Sequence, residues 1–221
     1  MIIFEHVTKV YNDVLYAVKD CSMHLEKGEI CFITGSTGAG KTSLLNMIFS
    51  LVTPSQGEIH VQGRALSSLD AGDIQGIRRS IGYIFQDNQL MEDWSVRDNV
   101  EIVLEIKACK LGNRSRTWTV LKWVGLQHKM YEKACNLSGG EKKRLALARA
   151  IIHDPDIILA DEPVGSLDEE TGRYVMNLLY RFYQRGATVL IVSHNRDPLM
   201  EYARVIHMDR GRVVSDGRGS R

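Results

Sequence analysis

The order of apolar and polar positions divides the chain into three stretches. Up to Phe85 the apolar residues come in short blocks between turns. Ile2–Val7 is rich in strand-forming residues and Tyr16–Leu25 alternates loosely, both patterns of strands. Lys27-Gly28-Glu29 reads as a turn, Ile30–Ile33 as an apolar strand and Ser43–Ile48 as a helix. After a turn at Pro54–Gly57, Glu58–Gln62 alternates like a half-buried strand, and Ile81–Phe85 is a short apolar strand. From Leu90 onward the period becomes helical. Ser95 can cap a helix with Val96, Val100, Val103 and Leu104 on one face, and Asn113 or Ser115 can start another with Trp118, Leu121 and Val124 inward, stopping at Gly125. A third helix follows Ser138, with Leu145, Ala148, Ile151 and Ile152 as its apolar stripe, and ends before Pro155. Buried strands then return at Ile157–Ala160, Thr188–Val192 and Arg204–Met208, with a helix from Leu167-Asp168 carrying Val175, Leu178, Leu179 and Phe182. Strand–helix alternation predicts an α/β core with a parallel sheet, interrupted by a helical lobe. The tail Asp216–Arg221 is expected to fray.

Between the Ile30–Ile33 strand and its helix lies Gly35-Ser36-Thr37-Gly38-Ala39-Gly40-Lys41-Thr42, followed by Ser43. This is the spacing of a phosphate-binding P-loop, in the strand–loop–helix context that the motif requires. Three glycines let the backbone turn its N–H groups inward onto phosphate oxygens, and the helix N-terminus adds partial positive charge. Lys41 supplies a point charge for the β- and γ-phosphates, and the Thr42 hydroxyl can ligate Mg²⁺. The expected ligand is therefore a nucleoside triphosphate, with ATP and Mg²⁺ the cofactors.

Composition narrows the partners. The 221 residues are 44% hydrophobic and 25% charged, with a formal net charge of +1, so no basic excess argues for nucleic acid. Cys21, Cys31, Cys109 and Cys135 are far apart without C-x-x-C spacing, which points to reduced thiols rather than a zinc site or disulfide framework. The opening Met1–His6 lacks the basic start and long apolar core of a signal peptide, and no apolar run is long enough for a membrane span. If the chain works at a membrane, another chain holds it there.

Two further constellations bear on chemistry. The apolar strand Ile157–Ala160 closes with Asp161-Glu162. Beside a P-loop, an Asp in that place holds Mg²⁺, and the adjacent Glu can polarise the attacking water. Farther upstream, Leu137-Ser138-Gly139-Gly140-Glu141 places a capping serine on a helix whose first turn is glycines, offering bare N–H groups and a hydroxyl to an anion. A second anion site in another lobe is hard to aim at the same nucleotide within one chain. Two copies arranged head to tail solve the problem, each Ser138 site closing on the other copy's ATP.

At this point the sequence resembles the ABC ATPases. Leu137–Glu141 is similar to their signature motif, whose commoner form ends in Gln. The resemblance covers nearly the whole chain. It implies a RecA-like core with an antiparallel β subdomain over 1–88 and 156–221, and a helical subdomain over 89–155. It further implies that Tyr11 stacks on adenine, with Tyr16 as a competitor, and that Gln86 contacts Mg²⁺ and the attacking water while sensing a membrane partner. Asp168 lies in the D-loop that speaks across the dimer, and His194 hydrogen-bonds the γ-phosphate. The family's usual Thr-Gly-Asn-Leu-Asp stands here as Val164-Gly165-Ser166-Leu167-Asp168, which keeps Asp168 but loses a hydroxyl and an amide.

Ile3–Tyr11, Arg78–Asp87 with Leu90, and Ser95–Val100 resemble the branch of the family that serves bacterial cell division, in patterns shared partly with lipoprotein-release and macrolide-exporter ATPases. The implied assembly is an ATP-closed homodimer, peripheral on the cytoplasmic face of the inner membrane. An integral membrane partner is expected near Asp87–Val100, where Met91 and Trp94 stand among acids. An ATP-gated scaffold with little turnover is the rival reading. A nucleic-acid-maintenance protein would call for coiled coils, zinc modules or fused cassettes, and a kinase would leave Ser138–Gly140 unexplained.

Overall fold

A computed structural model describes all residues except 13, 107–112, 166, 195–202 and 219–221, and at 113, 114 and 218 the backbone alone. Among the described residues ten strands run in order as β1 (Ile2–Tyr11), β2 (Leu15–Leu25), β3 (Ile30–Gly35), β4 (Gln56–Val61), β5 (Arg64–Ala65), β6 (Ile81–Ile84), β7 (Ile157–Asp161), β8 (Thr188–Val192), β9 (Arg204–Asp209) and β10 (Arg212–Arg218). Six α-helices accompany them among the described residues: α1 (Lys41–Ile48), α2 (Ala71–Ser80), α3 (Val96–Ile106), α4 (Asn113–Trp123), α5 (Gly139–Ile151) and α6 (Glu169–Gln184). The strands form two sheets, an antiparallel one in the order β2-β1-β4-β5 and a larger one in the order β10-β9-β3-β8-β7-β6. The larger sheet is parallel from β9 to β6, and β10 closes it as an antiparallel edge.

The parallel strands read as unbroken apolar runs because both their faces are covered. Phe32, Ile158, Ala160 and Ile191 point to the side packed by α3, α4, α5 and α6. Their neighbours Cys31, Ile33, Leu159, Leu190 and Val192 point to the other side, against α1 and the antiparallel sheet. Val96, Val100 and Leu104 of α3 and Leu145, Ala148 and Ile151 of α5 are buried as their spacing predicts. The Ser95 hydroxyl accepts from the Asp98 N–H at 3.0 Å, capping α3. Among the described residues no helix is long and apolar enough to cross a membrane.

Two expectations require correction, and one helix is unexpected. Trp118 does not face inward. It is 48% exposed, and the buried face of α4 is Thr117, Val120 and Leu121, continuing to Val124. The tail does not fray at Asp216, because β10 continues to Arg218 and the Asp216 carboxylate accepts from Nε and Nη2 of the Arg204 guanidinium, each at 2.6 Å. The helix α2 has no counterpart in the pattern reading. It buries only Ile77, carries Gly72 and Gly76, and starts on an Asp70 side chain that accepts from the Asp73 N–H at 2.8 Å.

Candidate functional site

The site arises where the carboxyl ends of the parallel strands meet, the edge at which open α/β sheets leave a crevice for ligands. β3 ends at Gly35 and delivers the P-loop, β7 ends at Asp161 and delivers Glu162, and β8 ends at Val192 and delivers His194. Gln86 follows the end of β6, one strand farther out.

The P-loop is held open by positive-φ glycines at Gly35, Gly38 and Gly40. At two of these, side chains are excluded on space as well as torsion. A Cβ on Gly35 would lie 2.1 Å from the Met208 carbonyl oxygen, and one on Gly40 would lie 1.9 Å from that of Ala17. The loop is thus pressed against β9 and β2 and presents Ser36, Thr37 and Gly38 to solvent. The buried Lys41 ammonium donates to the carbonyls of Gly35 at 2.9 Å and Ser36 at 2.8 Å, spanning the mouth of the loop. Burial holds its pKa below the ordinary lysine value, opposed by the nearby Glu162 and Asp161 carboxylates.

Asp161 is 2% exposed, and among the described residues its Oδ1 has no hydrogen-bond partner. Burial raises its pKa, while a hydrogen bond from the Thr42 hydroxyl acts in the opposite direction. A buried, unpartnered carboxylate oxygen is costly. Here it faces the same space as the Thr42 hydroxyl and the P-loop, and a hard, oxygen-seeking cation such as Mg²⁺ suits that donor set. Glu162 adopts a left-handed backbone, φ 49°, and its N–H donates to the Val192 carbonyl at 3.0 Å. Its Oε1 lies 2.7 Å from His194 Nε2, so the two strand-end side chains form a pair.

Gln86 is exposed, and its backbone carbonyl accepts from the buried Lys143 ammonium at 3.1 Å. Tyr11 is placed beside the P-loop helix, its hydroxyl 3.5 Å from Ser43 Oγ. Tyr16 is 52% exposed, with the Lys19 ammonium over its ring.

The other predicted residues stand apart. Ser138 caps α5 and accepts from the Glu141 N–H at 3.3 Å, while Glu141 returns a carboxylate oxygen to the Ser138 N–H at 2.9 Å. Glu141 also pairs with Lys129 at 2.8 Å, and this ion pair, with the bonds to Ser138, holds its carboxyl down to about 2. Gly139 and Gly140 form the first turn of α5. Asp168 caps α6, its carboxylate accepting from the Thr171 N–H at 2.9 Å. Ser166 lies outside the described residues. Among the described residues no hydrogen bond or ion pair joins 138–141 or Asp168 to the P-loop.

The 87–100 stretch is tied down from within. Buried Asn99 accepts from the Met91 N–H at 2.9 Å and donates to the carbonyls of Met91 and Ser95. Trp94 is 43% exposed and Met91 partly buried. Beside this stretch, α2, β6, α3 and α5 enclose a groove of about 400 Å³. Its aromatic wall is Phe49, Tyr83 and Phe85, with the rings of Tyr83 and Phe85 stacked at 3.9 Å. Arg78, Arg79 and Arg149 also line it. Pattern reading missed this groove because one wall is α2.

A model of the family described as ABC transporter matches residues 18–165. The phosphonates import ATP-binding protein PhnC of Hydrogenovibrio crunogenus is 40% identical over 232 residues, covering 100% of this chain and 84% of that protein. The cell division ATP-binding protein FtsE of Escherichia coli K12 is 39% identical over 196 residues, covering 88% of each, and that of Mycobacterium tuberculosis H37Rv is 36% identical over 221 residues, covering 98% and 95%. Among solved structures, the dimeric post-hydrolysis state of the ATP-binding cassette MJ0796 bound to ADP and Pi matches with a TM-score of 0.92 at 33% identity, covering 99% of this chain and 98% of that one. The chain belongs to the ABC transporter family and is one of its ATP-hydrolysing cassettes.

Proposed function

We propose that the chain hydrolyses ATP at two composite sites of a head-to-tail homodimer and passes the closing and opening of that dimer to a membrane subunit. The observation that carries this reading is the separation of two glycine-rich helix starts suited to anions. Lys41, Thr42, Asp161, Glu162 and His194 converge at one sheet edge, while Ser138 and the glycines of α5 stand apart from it. In the reading, Lys41 and the loop amides hold the phosphates, Tyr11 stacks on adenine, and Ser138 to Glu141 of the second copy close the site, with Asp168 at the dimer contact. Thr42, Asp161 and Gln86 would hold Mg²⁺, which when bound neutralises phosphate charge. Glu162 orients and deprotonates the attacking water, and His194 fixes the Glu162 carboxylate and reaches the γ-phosphate.

Within the family, the FtsE relatives support a role in cell division, with a membrane partner like FtsX and an output directed at cell-wall hydrolysis. The partner would dock across the 87–100 stretch and the aromatic groove, where exposed Trp94 and the Phe49–Tyr83–Phe85 wall provide apolar anchors. The PhnC relative, matched over the whole chain, favours a second reading as the ATPase of an import complex. Copurifying the chain from its host membranes and sequencing the bound integral protein separates the two. An FtsX-like sequence supports the first, and an importer permease overturns it.

A further inference from the structure

Lys143 has no part in the chemistry described above, yet it is 5% exposed and lies in the first turns of α5, two residues past Glu141. A buried ammonium is costly unless its donors are met. Two donors go to main-chain carbonyls, Phe85 at 3.3 Å and Gln86 at 3.1 Å. Asp161, Glu162 and Asp87 supply the compensating negative field, against burial that lowers its affinity for the proton. The neighbours on α5 hold the same segment. Lys142 pairs with Glu92 at 2.9 Å, and the Arg149 guanidinium donates to the Asn88 and Gln89 carbonyls. Only Lys143 reaches the backbone of Gln86 itself among these three.

We propose that Lys143 is a positioning residue for hydrolysis, its buried ammonium fixing the Gln86 backbone to α5 so that movement of α5 sets where the Gln86 side chain stands. The inference rests on the reading that Gln86 and Glu162 serve this chain's own ATP. α5 begins at Ser138, the element assigned to the nucleotide of the second copy. Lys143 therefore joins the two sites of a dimer through one short, rigid helix segment: closure on one nucleotide sets the glutamine beside the other. Methionine has similar length and no charge; it leaves the Phe85 and Gln86 carbonyls without this donor, so some loss of stability is expected, while arginine keeps the charge and the donors. This allows a positioning role to be separated from a structural one.

The test compares wild type, Lys143→Met, Lys143→Arg and Glu162→Gln by steady-state ATP turnover, by equilibrium binding of a fluorescent ATP analogue and by thermal unfolding. The expected result for Lys143→Met is a kcat lower by roughly 10- to 100-fold with KM and nucleotide affinity unchanged in a protein still folded at the assay temperature, and recovery of most of the turnover in Lys143→Arg. Unchanged kcat in Lys143→Met overturns the proposal, as does a fall that comes with lost nucleotide affinity or with unfolding at the assay temperature, or an arginine variant no better than the methionine one. Glu162→Gln tests the underlying reading separately. If it turns over ATP normally, the assignment of the site itself fails, whatever Lys143 does.

Discussion

His194 Nε2 lies 2.7 Å from Glu162 Oε1, joining the ends of the neighbouring parallel strands β8 and β7. Glu162 is held from two directions, by this contact and by its N–H bond to the Val192 carbonyl at 3.0 Å, in a backbone conformation unusual for a side chain of its size. Such restraint suits a carboxylate that must meet a water in one orientation.

Glu162→Gln keeps the shape and the contact to His194 but removes the base. Turnover is expected to fall by roughly 100-fold or more, with ATP binding retained. Single-turnover hydrolysis and equilibrium ATP binding on the same preparation check this, and wild-type turnover would remove Glu162 from its role.

Lys41→Ala takes away the ammonium that spans the P-loop carbonyls. A lost charge-assisted hydrogen bond is worth about 1.5–3 kcal/mol, so ATP affinity should fall by roughly 10- to 150-fold. Calorimetric titration with ATP reads the change directly. Tight binding by the variant would contradict the P-loop assignment.

Two glycines of the loop should differ in how they tolerate alanine. At Gly38 the new Cβ meets nothing within 4 Å and only the torsion, φ 78°, is strained, at a cost of about 1–3 kcal/mol. At Gly40 the Cβ collides with the Ala17 carbonyl at 1.9 Å as well, adding about 1–3 kcal/mol of overpacking. Urea denaturation of the two variants should therefore rank Gly40→Ala as the less stable. The reverse order would mean that β2 is not packed on the loop as described.

Glu141 is a pH-dependent contributor. Its carboxyl, ordinarily near 4.5, is held down to about 2 by Lys129 and the Ser138 cap. The folded state binds the proton more weakly than the unfolded state. The stabilisation is therefore complete above about pH 4.5 and is lost as the pH falls through about 2. Glu141→Gln should be less stable than wild type at neutral pH, and the difference should shrink between pH 4.5 and 2. Chemical denaturation across that range checks it, and a constant difference would exclude the ion pair as its source.

Much of this architecture is legible in the sequence because its strands are buried on both faces and its chemistry sits at their ends. The run Ile157–Ala160 followed by Asp161-Glu162 marks strand, terminus and site together. The remainder depends on tertiary context. α2 buries only Ile77, so no apolar stripe announces it. Trp118 is apolar in the helical period, but Thr117 takes the inward position and leaves the indole outside. Asp216 reads as a polar tail residue until Arg204, twelve positions upstream, is seen gripping it. Lys143 lies in the run Glu141-Lys142-Lys143-Arg144, which reads as a solvated helix face, and only the packing of α5 against the end of β6 buries it. The separation of Ser138 from the P-loop is visible as sequence distance, and the Ser138-x-x-Glu141 spacing of the capping box is legible too, whereas the Lys129 pair that holds Glu141 comes only from the fold.

The central claim is that the P-loop of one copy and Ser138 of another form a single site. It is tested most directly by the light-scattering mass of Glu162→Gln, with and without ATP, beside the same protein carrying Ser138→Arg. The chain weighs 24.9 kDa. The account predicts that ATP doubles the mass of Glu162→Gln, and that the Ser138→Arg double variant still binds ATP but keeps the monomer mass. A monomer mass for Glu162→Gln at saturating ATP, or doubling that survives Ser138→Arg, would contradict it.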